Sequence, residues 1–510
     1  MPSLKDSLVH APVELKFGTS GLRGLVSEMT DLECYVNVTG FLDFLAKNYE
    51  LKQGSVVYLA GDLRDSTPQI LKAVNQAIDD SGYVSDYVGL VPTPTVAYFA
   101  QEKQAPCIMV TGSHIPADRN GIKFYKQTGE VLKQDEAGIF TSVAEVRKRI
   151  YSQALEQSAF DSNGNLKNIA ELPEVNNQAT DDYKYRYIDF FEKDALTGKK
   201  VIFYQHSSVG RDLLPEIIRA LGAEVVEEGR SEVFVPIDTE NVTKDDEAYF
   251  VSLAQKHPDA FAIISTDGDS DRPFVIDAKG IFYRGDILGS VVADWLNADF
   301  CAYPISSSDA VDAQLSRRGV KFEHTKIGSP YVIESMQGAL TEGLKTVVGW
   351  EVNGGFLLGG DIEKGGRAIK KLPTRDALFP ILVALIAAKN SSISELFAAL
   401  PQRFTQAGLI DDFPQDASAK ILSKIGEGNA ELIGKYFSSD LGYGTAISVN
   451  ALDGARIYFS NDVIAHIRPS GNAPQLRIYS VAQTQERADE IVAQAIAEPN
   501  GIFRKLEAEL

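Results

Sequence analysis

Thr111-Gly112-Ser113-His114-Ile115-Pro116-Ala117-Asp118-Arg119-Asn120-Gly121-Ile122-Lys123-Phe124-Tyr125 follows the apolar run Cys107-Ile108-Met109-Val110. Four consecutive apolar residues bounded by turn formers read as a short strand buried on both faces. The polar stretch therefore leaves the carboxyl end of a strand, where open α/β sheets hold their ligands. It exposes one hydroxyl, Ser113, beside an imidazole, His114, with Lys123 further on. Its Pro, Asp, Asn and Gly residues hold a fixed, non-repetitive backbone. A Ser-His pair alone is common on protein surfaces, and it is the whole string that singles this loop out.

Upstream, residues 56–60 read as a buried strand. Ser66-Thr67-Pro68 then cap a helix with Ile70, Leu71, Val74, Ala77 and Ile78 on one face, ending at Ser81-Gly82. A strand at 83–88 leads into Val91-Pro92-Thr93-Pro94-Thr95. Phe17-Gly18-Thr19-Ser20-Gly21-Leu22-Arg23-Gly24 is a glycine-rich loop whose spacing fits neither the dinucleotide fingerprint nor the P-loop.

Downstream, 161–182 is polar and strand-poor, the best linker candidate. Strands at 200–204, 223–227 and 261–265 flank a helix at 212–221, and the last of them ends in Asp267-Gly268-Asp269-Ser270-Asp271-Arg272-Pro273. The acidic run 238–247 reads as a solvated loop and helix start. The pattern recurs with strands at 302–305 and 320–324, helices at 309–317 and 330–340, and a strand at 345–349 that delivers Glu351-Val352-Asn353-Gly354-Gly355. A helix is expected over 374–388. Beyond about residue 404 the texture changes to short strands (456–459, 463–468, 475–480), the last two joined by Arg468-Pro469-Ser470-Gly471-Asn472-Ala473-Pro474, and then a helix near 484–496. These breaks divide the chain into α/β domains at 1–157, 158–282 and 283–404 and an α+β domain at 405–510.

The loops carry distinct chemistry. Asp267, Asp269 and Asp271 alternate, so in extended backbone they share a face and converge on one cation. A calcium EF-hand needs Gly and Glu where this chain has Arg272 and Ala278, which excludes that motif. A hard cation with oxygen ligands remains, and Mg²⁺ suits a site that also holds phosphate. A phosphorylated Ser113 would add roughly −1.5 to −2 to the three carboxylates. Arg23, Arg272, Lys123 and His114 are the cations available to balance that charge. Lys123 is the candidate general acid or base, its pKa expected to fall beside Arg272 and the metal. Glu351 and Asn353 offer directed acceptors for sugar hydroxyls. Arg468, Ser470, the amides of Gly471 and Asn472, and Arg477 form an anion-binding group. Each of these short motifs is also, by itself, a plausible polar turn.

Bulk composition sets limits. The 510 residues carry 70 acidic and 50 basic side chains, a net charge of −20, which disfavours nucleic acid as a partner. With no long apolar stretch and no apolar leader, neither a membrane span nor export is expected. Cys34, Cys107 and Cys301 match no metal or redox spacing and read as buried thiols in a reducing, cytoplasmic setting.

The four loops, in the order serine, metal, sugar, phosphate, resemble those of the α-D-phosphohexomutases across nearly the whole chain. The resemblance implies three consecutive α/β domains with mixed sheets around a central cleft, plus a smaller C-terminal α+β domain. It implies a phosphorylated Ser113 that, with Asp267, Asp269 and Asp271, holds one Mg²⁺, and transfer of the phosphoryl group between the 6- and 1-positions of a hexose. A hexose 1,6-bisphosphate serves as intermediate and activator. Lys326-Ile327-Gly328-Ser329-Pro330-Tyr331 is similar to the family's specificity segment, which makes Lys326 and Ser329 substrate-binding candidates. Relatives often have Ala and Asn where Gly112 and Ile115 stand, Ser at Asn353, His near Gly355, and Thr-Glu at Asn472-Ala473. Mannose phosphate is the expected substrate, with phosphoglucomutase and phosphoglucosamine mutase as alternatives within the class. A sugar-phosphate sensor without turnover and a Mg²⁺ phosphatase are the alternatives outside it. The expected partners are small sugar phosphates, with the chain a monomer or homodimer.

Overall fold

The computed structural model describes residues 2–18, 21–469 and 474–509. The chain forms two compact units, Met1–Cys301 with Gly328–Leu396, and Ala302–Ile327 with Phe397–Leu510.

In the first unit, Cys107–Val110 lies between Val56–Gly61, parallel to it, and Arg119–Lys126, antiparallel to it. Val84–Leu90 extends the sheet beyond Val56–Gly61, and Gly21–Leu25 and Lys16–Phe17 extend it on the other side. Side-chain alternation explains the uninterrupted apolar strands. Val57, Leu59, Ile108, Val110, Ile122 and Phe124 pack with residues of the helices Asp31–Asn48 and Thr67–Asp80. Tyr58, Ala60, Cys107, Met109 and Tyr125 pack with residues of Thr93–Glu102. Lys123 pairs with Met109 across the ladder, so it too falls within a buried strand. The expected glycine-rich loop is in part a strand: Gly21 to Leu25 pair antiparallel with Lys123 to Arg119, while Thr19 and Ser20 lie outside the described residues.

A second mixed sheet is ordered Phe282–Tyr283, Pro273–Asp277, Ala262–Thr266, Lys200–Tyr204, Glu224–Glu228. Here Ala262–Thr266 runs parallel to Lys200–Tyr204 and antiparallel to Pro273–Asp277. Further on, Val347–Trp350 pairs antiparallel with Phe356–Leu358, which pairs antiparallel with Leu372–Asp376. One device thus recurs three times. A buried strand ends in a polar loop and the chain returns antiparallel beside it, so each loop is gripped at both ends. The helix expected over 374–388 begins later, at Leu378–Ala387, because Thr374, Arg375 and Asp376 complete a strand. The apolar run after Asp376 masks that boundary in the sequence.

The second unit holds the helix Asp309–Arg318, the strand Lys321–Thr325 and an antiparallel sheet ordered Phe404–Ile410, Leu476–Ala482, Ile464–Pro469, Ala455–Phe459, Ala446–Asn450. Residues of Gln415–Gly426, Ala430–Tyr436, Gln485–Ile496 and Ile502–Glu509 fill its core. This is the smaller α+β domain, with more helix than the sequence suggested. Among the described residues no helix is long and apolar enough to cross a membrane, and all three cysteines are buried and free.

His466 sits at the centre of this sheet, with Nε2 2.6 Å from the Asp453 carbonyl. Burial, then the Arg456 guanidinium, lowers its pKa from 6.5 to about 4, with Asp453 pulling the other way and Arg468 adding to the fall. A histidine neutral in the fold and protonated in the unfolded chain contributes stability above pH 6.5 that is lost as the pH falls toward 4. The full amount is about 3 kcal/mol. His466→Gln should therefore flatten the acid limb of denaturant-derived stability between those values. An unchanged slope would show that His466 does not carry it.

Candidate active site

Ser113 adopts a left-handed backbone, φ 53°, unusual for a residue with a side chain. The loop is held there by a buried arginine that the sequence reading missed. Arg64 donates to the carbonyls of Ser113 (3.0 Å), Ile115 (2.6 Å), Pro116 (2.8 Å) and Arg119 (2.8 Å). Asp62 pairs with Arg64 at 3.3 Å, and the Phe234 ring covers the guanidinium at 3.8 Å. This clamp explains Gly112, because a Cβ there would lie 2.5 Å from Arg64 Cζ. The sequence clue was Asp62-x-Arg64 at the end of a buried strand.

Ser113 Oγ donates to Asp267 Oδ2 at 2.6 Å and lies 3.3 Å from His114 Nδ1. The structure thus joins the serine loop to the metal loop. Asp267, Asp269 and Asp271 are buried, with ligand oxygens within 4.8 Å of one another. Lys123 Nζ donates to Asp269 Oδ2 (2.6 Å) and Asp271 Oδ2 (2.7 Å). Thr93 donates its hydroxyl to Asp269 Oδ2 and its N–H to the Asp269 carbonyl at 2.9 Å. Asp269 Oδ1 and Asp271 Oδ1, although buried, accept no hydrogen bond from any described residue. Buried carboxylate oxygens without donors are costly unless a cation meets them. These residues fit a hard divalent ion.

Electrostatics revise two expectations. Burial alone would lower the Lys123 pKa, but Asp269 and Asp271 outweigh it and hold the pKa above the ordinary lysine value, not below it. Lys123 is an ammonium donor. Burial, then Arg272 and Arg23, holds the His114 imidazole well below its ordinary pKa, so it is neutral rather than one of the balancing cations. Asp267 is pushed well up by burial and by Asp269 and Asp271. Burial would also raise Asp271, yet Arg375, Lys123 and Arg272 bring it well below the usual carboxylate range. Arg272 lies 3.6 Å from Asp271 and 3.6 Å from Asp238. Arg23, on the strand beside Lys123, interacts with Asp269 and Asp271 and is repelled by Arg272 and Arg375.

Arg375 was not anticipated. From the strand misread as helix it donates to Asp271 Oδ2 at 3.1 Å and to Glu351 Oε2 at 2.6 Å, joining the metal and sugar loops. Its stem occupies the space beside Gly355, where a Cβ would meet Arg375 Cδ at 2.6 Å. A larger residue such as histidine does not fit there while Arg375 stands in place. Asn353 donates to Glu240 Oε1 at 3.0 Å, and the Thr239 hydroxyl donates to the Asn353 carbonyl at 2.8 Å. The acidic segment is largely exposed and leads into the helix Lys244–Lys256, as expected, but its Thr239 and Glu240 reach the sugar loop. Ser329 is buried and gives its hydroxyl to Glu130 at 2.7 Å.

In the second unit, Lys326 is exposed. Arg468 pairs with Asp453 at 2.9 Å and is the direct cross-strand partner of Arg477, whose buried Nε meets no described acceptor. Two like charges so opposed, with Asp453 paired to one of them, keep a net positive charge, which suits anion binding. Ser470, Gly471 and Asn472 lie outside the described residues.

Comparison with known proteins follows the same outline. Models for phosphoglucomutase/phosphomannomutase alpha/beta/alpha domains I, II and III match residues 14–149, 183–280 and 284–404. A phosphomannomutase of Salmonella muenchen is 38% identical over 478 residues, covering 94% of both chains. One from Sinorhizobium fredii is 38% identical over 485 residues, covering 94% of this chain and 98% of its own. In fold, the crystal structure of a phosphoglucomutase/phosphomannomutase family protein from Burkholderia thailandensis superposes with TM-score 0.71 at 19% identity, covering 95% of this chain and 98% of its own.

Proposed function

The chain belongs to the phosphoglucomutase/phosphomannomutase family, and on that premise we propose that it interconverts mannose 6-phosphate and mannose 1-phosphate through a phosphorylated Ser113. The observation that carries the reaction type is Ser113 Oγ, 2.6 Å from Asp267 and at the edge of three buried carboxylates. The preference for mannose is supported by the two phosphomannomutases at 38% identity.

In the first half-reaction the P–O bond to Ser113 Oγ breaks and a P–O bond to a sugar hydroxyl oxygen forms, the hydroxyl proton ending on Ser113 Oγ, from which it returns to the sugar oxygen in the second. The product is a hexose 1,6-bisphosphate, which also serves as activator. In the second half-reaction its other phosphoryl group returns to Ser113 Oγ. Catalysis of this kind is chiefly positioning and charge stabilisation. Lys123, an ammonium held by Asp269 and Asp271, supplies a positive charge beside the three carboxylates. Arg272 adds a second cation, and His114, neutral beside Ser113 Oγ, orients it. Asp267, Asp269, Asp271 and Ser113 would hold one Mg²⁺ per chain, which would supply neutralisation of the phosphoryl charge. Glu351 and Asn353 serve the sugar hydroxyls, together with Lys326 and Ser329 of the specificity segment. Arg468, Arg477 and the 470–472 loop take the phosphate that does not react. Each of the proposed segments 1–157, 158–282, 283–404 and 405–510 carries one of these loops. The buried free thiols support a reducing, cytoplasmic setting for a monomer or homodimer.

Mannose, glucose and glucosamine 6-phosphates should be offered in parallel, with 1-phosphate isomer and free phosphate both measured. The expected result is the highest kcat/KM with mannose 6-phosphate and isomer far in excess of free phosphate. A preference for glucose or glucosamine phosphate would replace the substrate, and predominant phosphate release would replace the reaction.

A further inference from the structure

We infer that Glu240 is a specificity-determining residue that accepts a hydrogen bond from a hexose hydroxyl, and that Asn353 positions it. This rests on the sugar-binding role proposed for the Glu351–Gly355 loop. Within that loop the Asn353 carboxamide is engaged at both ends. Its Oδ1 accepts from the Gly355 N–H at 3.0 Å, and its Nδ2 donates to Glu240 Oε1 at 3.0 Å. The first bond fixes which way the amide faces, so the second fixes where the carboxylate stands. Thr239, buried, ties the preceding residue to the same loop through the Asn353 carbonyl at 2.8 Å. Glu240 itself is exposed. A carboxylate reachable from solvent and anchored through one oxygen is equipped to bind a polar ligand.

The surrounding charges fit a neutral hydroxyl donor. Burial raises the Glu240 pKa, Arg272 pulls it down, and Asp238 and Glu351 add to the rise, so the two carboxylates Glu240 and Glu351 act on the same region. Arg375 occupies Glu351 Oε2 at 2.6 Å. Hydrogen bonds from hydroxyls to carboxylates are short and strong. Two carboxylates flanking one amide can hold two different hydroxyls of a hexose ring. Hexose isomers differ in whether a given hydroxyl is axial or equatorial, so fixed acceptors discriminate between them. The pairing also gives a reason for Asn at 353: a shorter side chain such as Ser offers no amide to hold Glu240.

The test uses the full chain with Glu240→Ala, Glu240→Gln, Asn353→Ser, the Asn353→Ser/Glu240→Gln double variant and Glu351→Gln. Each is assayed with mannose and glucose 6-phosphates and with their 2-, 3- and 4-deoxy analogues. Glu240→Ala should raise KM about tenfold or more for the hexoses but not for the one deoxy analogue lacking the bound hydroxyl. Its kcat should change by less than about threefold and its melting temperature should hold. Asn353→Ser should produce part of the same effect, and the loss in the double variant should fall short of the sum of the two single losses, the shortfall measuring their coupling. Equal loss across all sugars in Glu240→Ala, with no analogue spared, would overturn the inference. So would unchanged KM in Glu240→Ala while Glu351→Gln raises it, an outcome that leaves the sugar-loop reading standing. Unchanged KM in Glu351→Gln as well would show instead that the sugar-loop reading had failed.

Discussion

Ser113→Ala is expected to abolish mutase turnover, with a fall of at least about three orders of magnitude, the scale seen when a nucleophile is removed from a catalytic unit. Lys123, Arg272 and the carboxylates remain in this variant, but no atom is left to receive the phosphoryl group. The fold should survive. The hydroxyl's partners are Asp267 and His114, whereas the loop itself is held through backbone carbonyls by Arg64. Intact-mass analysis of wild type should show a phosphate adduct that the variant lacks, and circular dichroism should superimpose. Retention of wild-type turnover by the variant would falsify the phosphoserine assignment.

Asp269→Asn should have the next largest effect, roughly a hundred- to a thousandfold in kcat, the range for removing a preorganised charge from the transition state. Asp269 contributes on both sides: one oxygen meets Lys123 and Thr93, and the other is buried without a described partner. Asparagine keeps the shape but loses the charge that a divalent ion and the Lys123 ammonium both require. Mg²⁺ bound at the three aspartates should stabilise wild type by mass action, raising its melting temperature with concentration. That shift should shrink strongly in the variant, a readout independent of turnover. If added Mg²⁺ raises the melting temperature of variant and wild type equally, the three-aspartate site is wrong.

Much of this site was legible because its chemistry is local. Ser113 and Lys123 share one loop and return strand, and the three aspartates share another. Each follows an apolar strand whose burial the composition alone implies. The alternation of Asp267, Asp269 and Asp271 shows that they can face one way before any coordinates are known. The three strand-loop units and the change in texture near residue 404 follow from period and punctuation in the same manner.

What escaped was decided by distance across the fold. Arg375 was hidden because the apolar run Leu378–Ala387 makes its strand look like the start of a helix. Only the pairing of Phe356 with Asp376 sets it beside the sugar loop. That Asp238 and Glu240, in a largely exposed acidic run, meet Arg272 and Asn353 could not be read from the run itself. The direction of the Lys123 shift required knowing that two carboxylates stand within 2.7 Å. The Gly at 355, which from sequence looked like a lost histidine, is the space that the Arg375 stem fills. Periodicity and loop chemistry, short-range properties of the chain, determined the strands and pointed to Ser113 and the three aspartates. Tertiary structure alone decided which charges meet, because Coulomb interaction and steric exclusion depend on separation in space, which sequence distance does not encode.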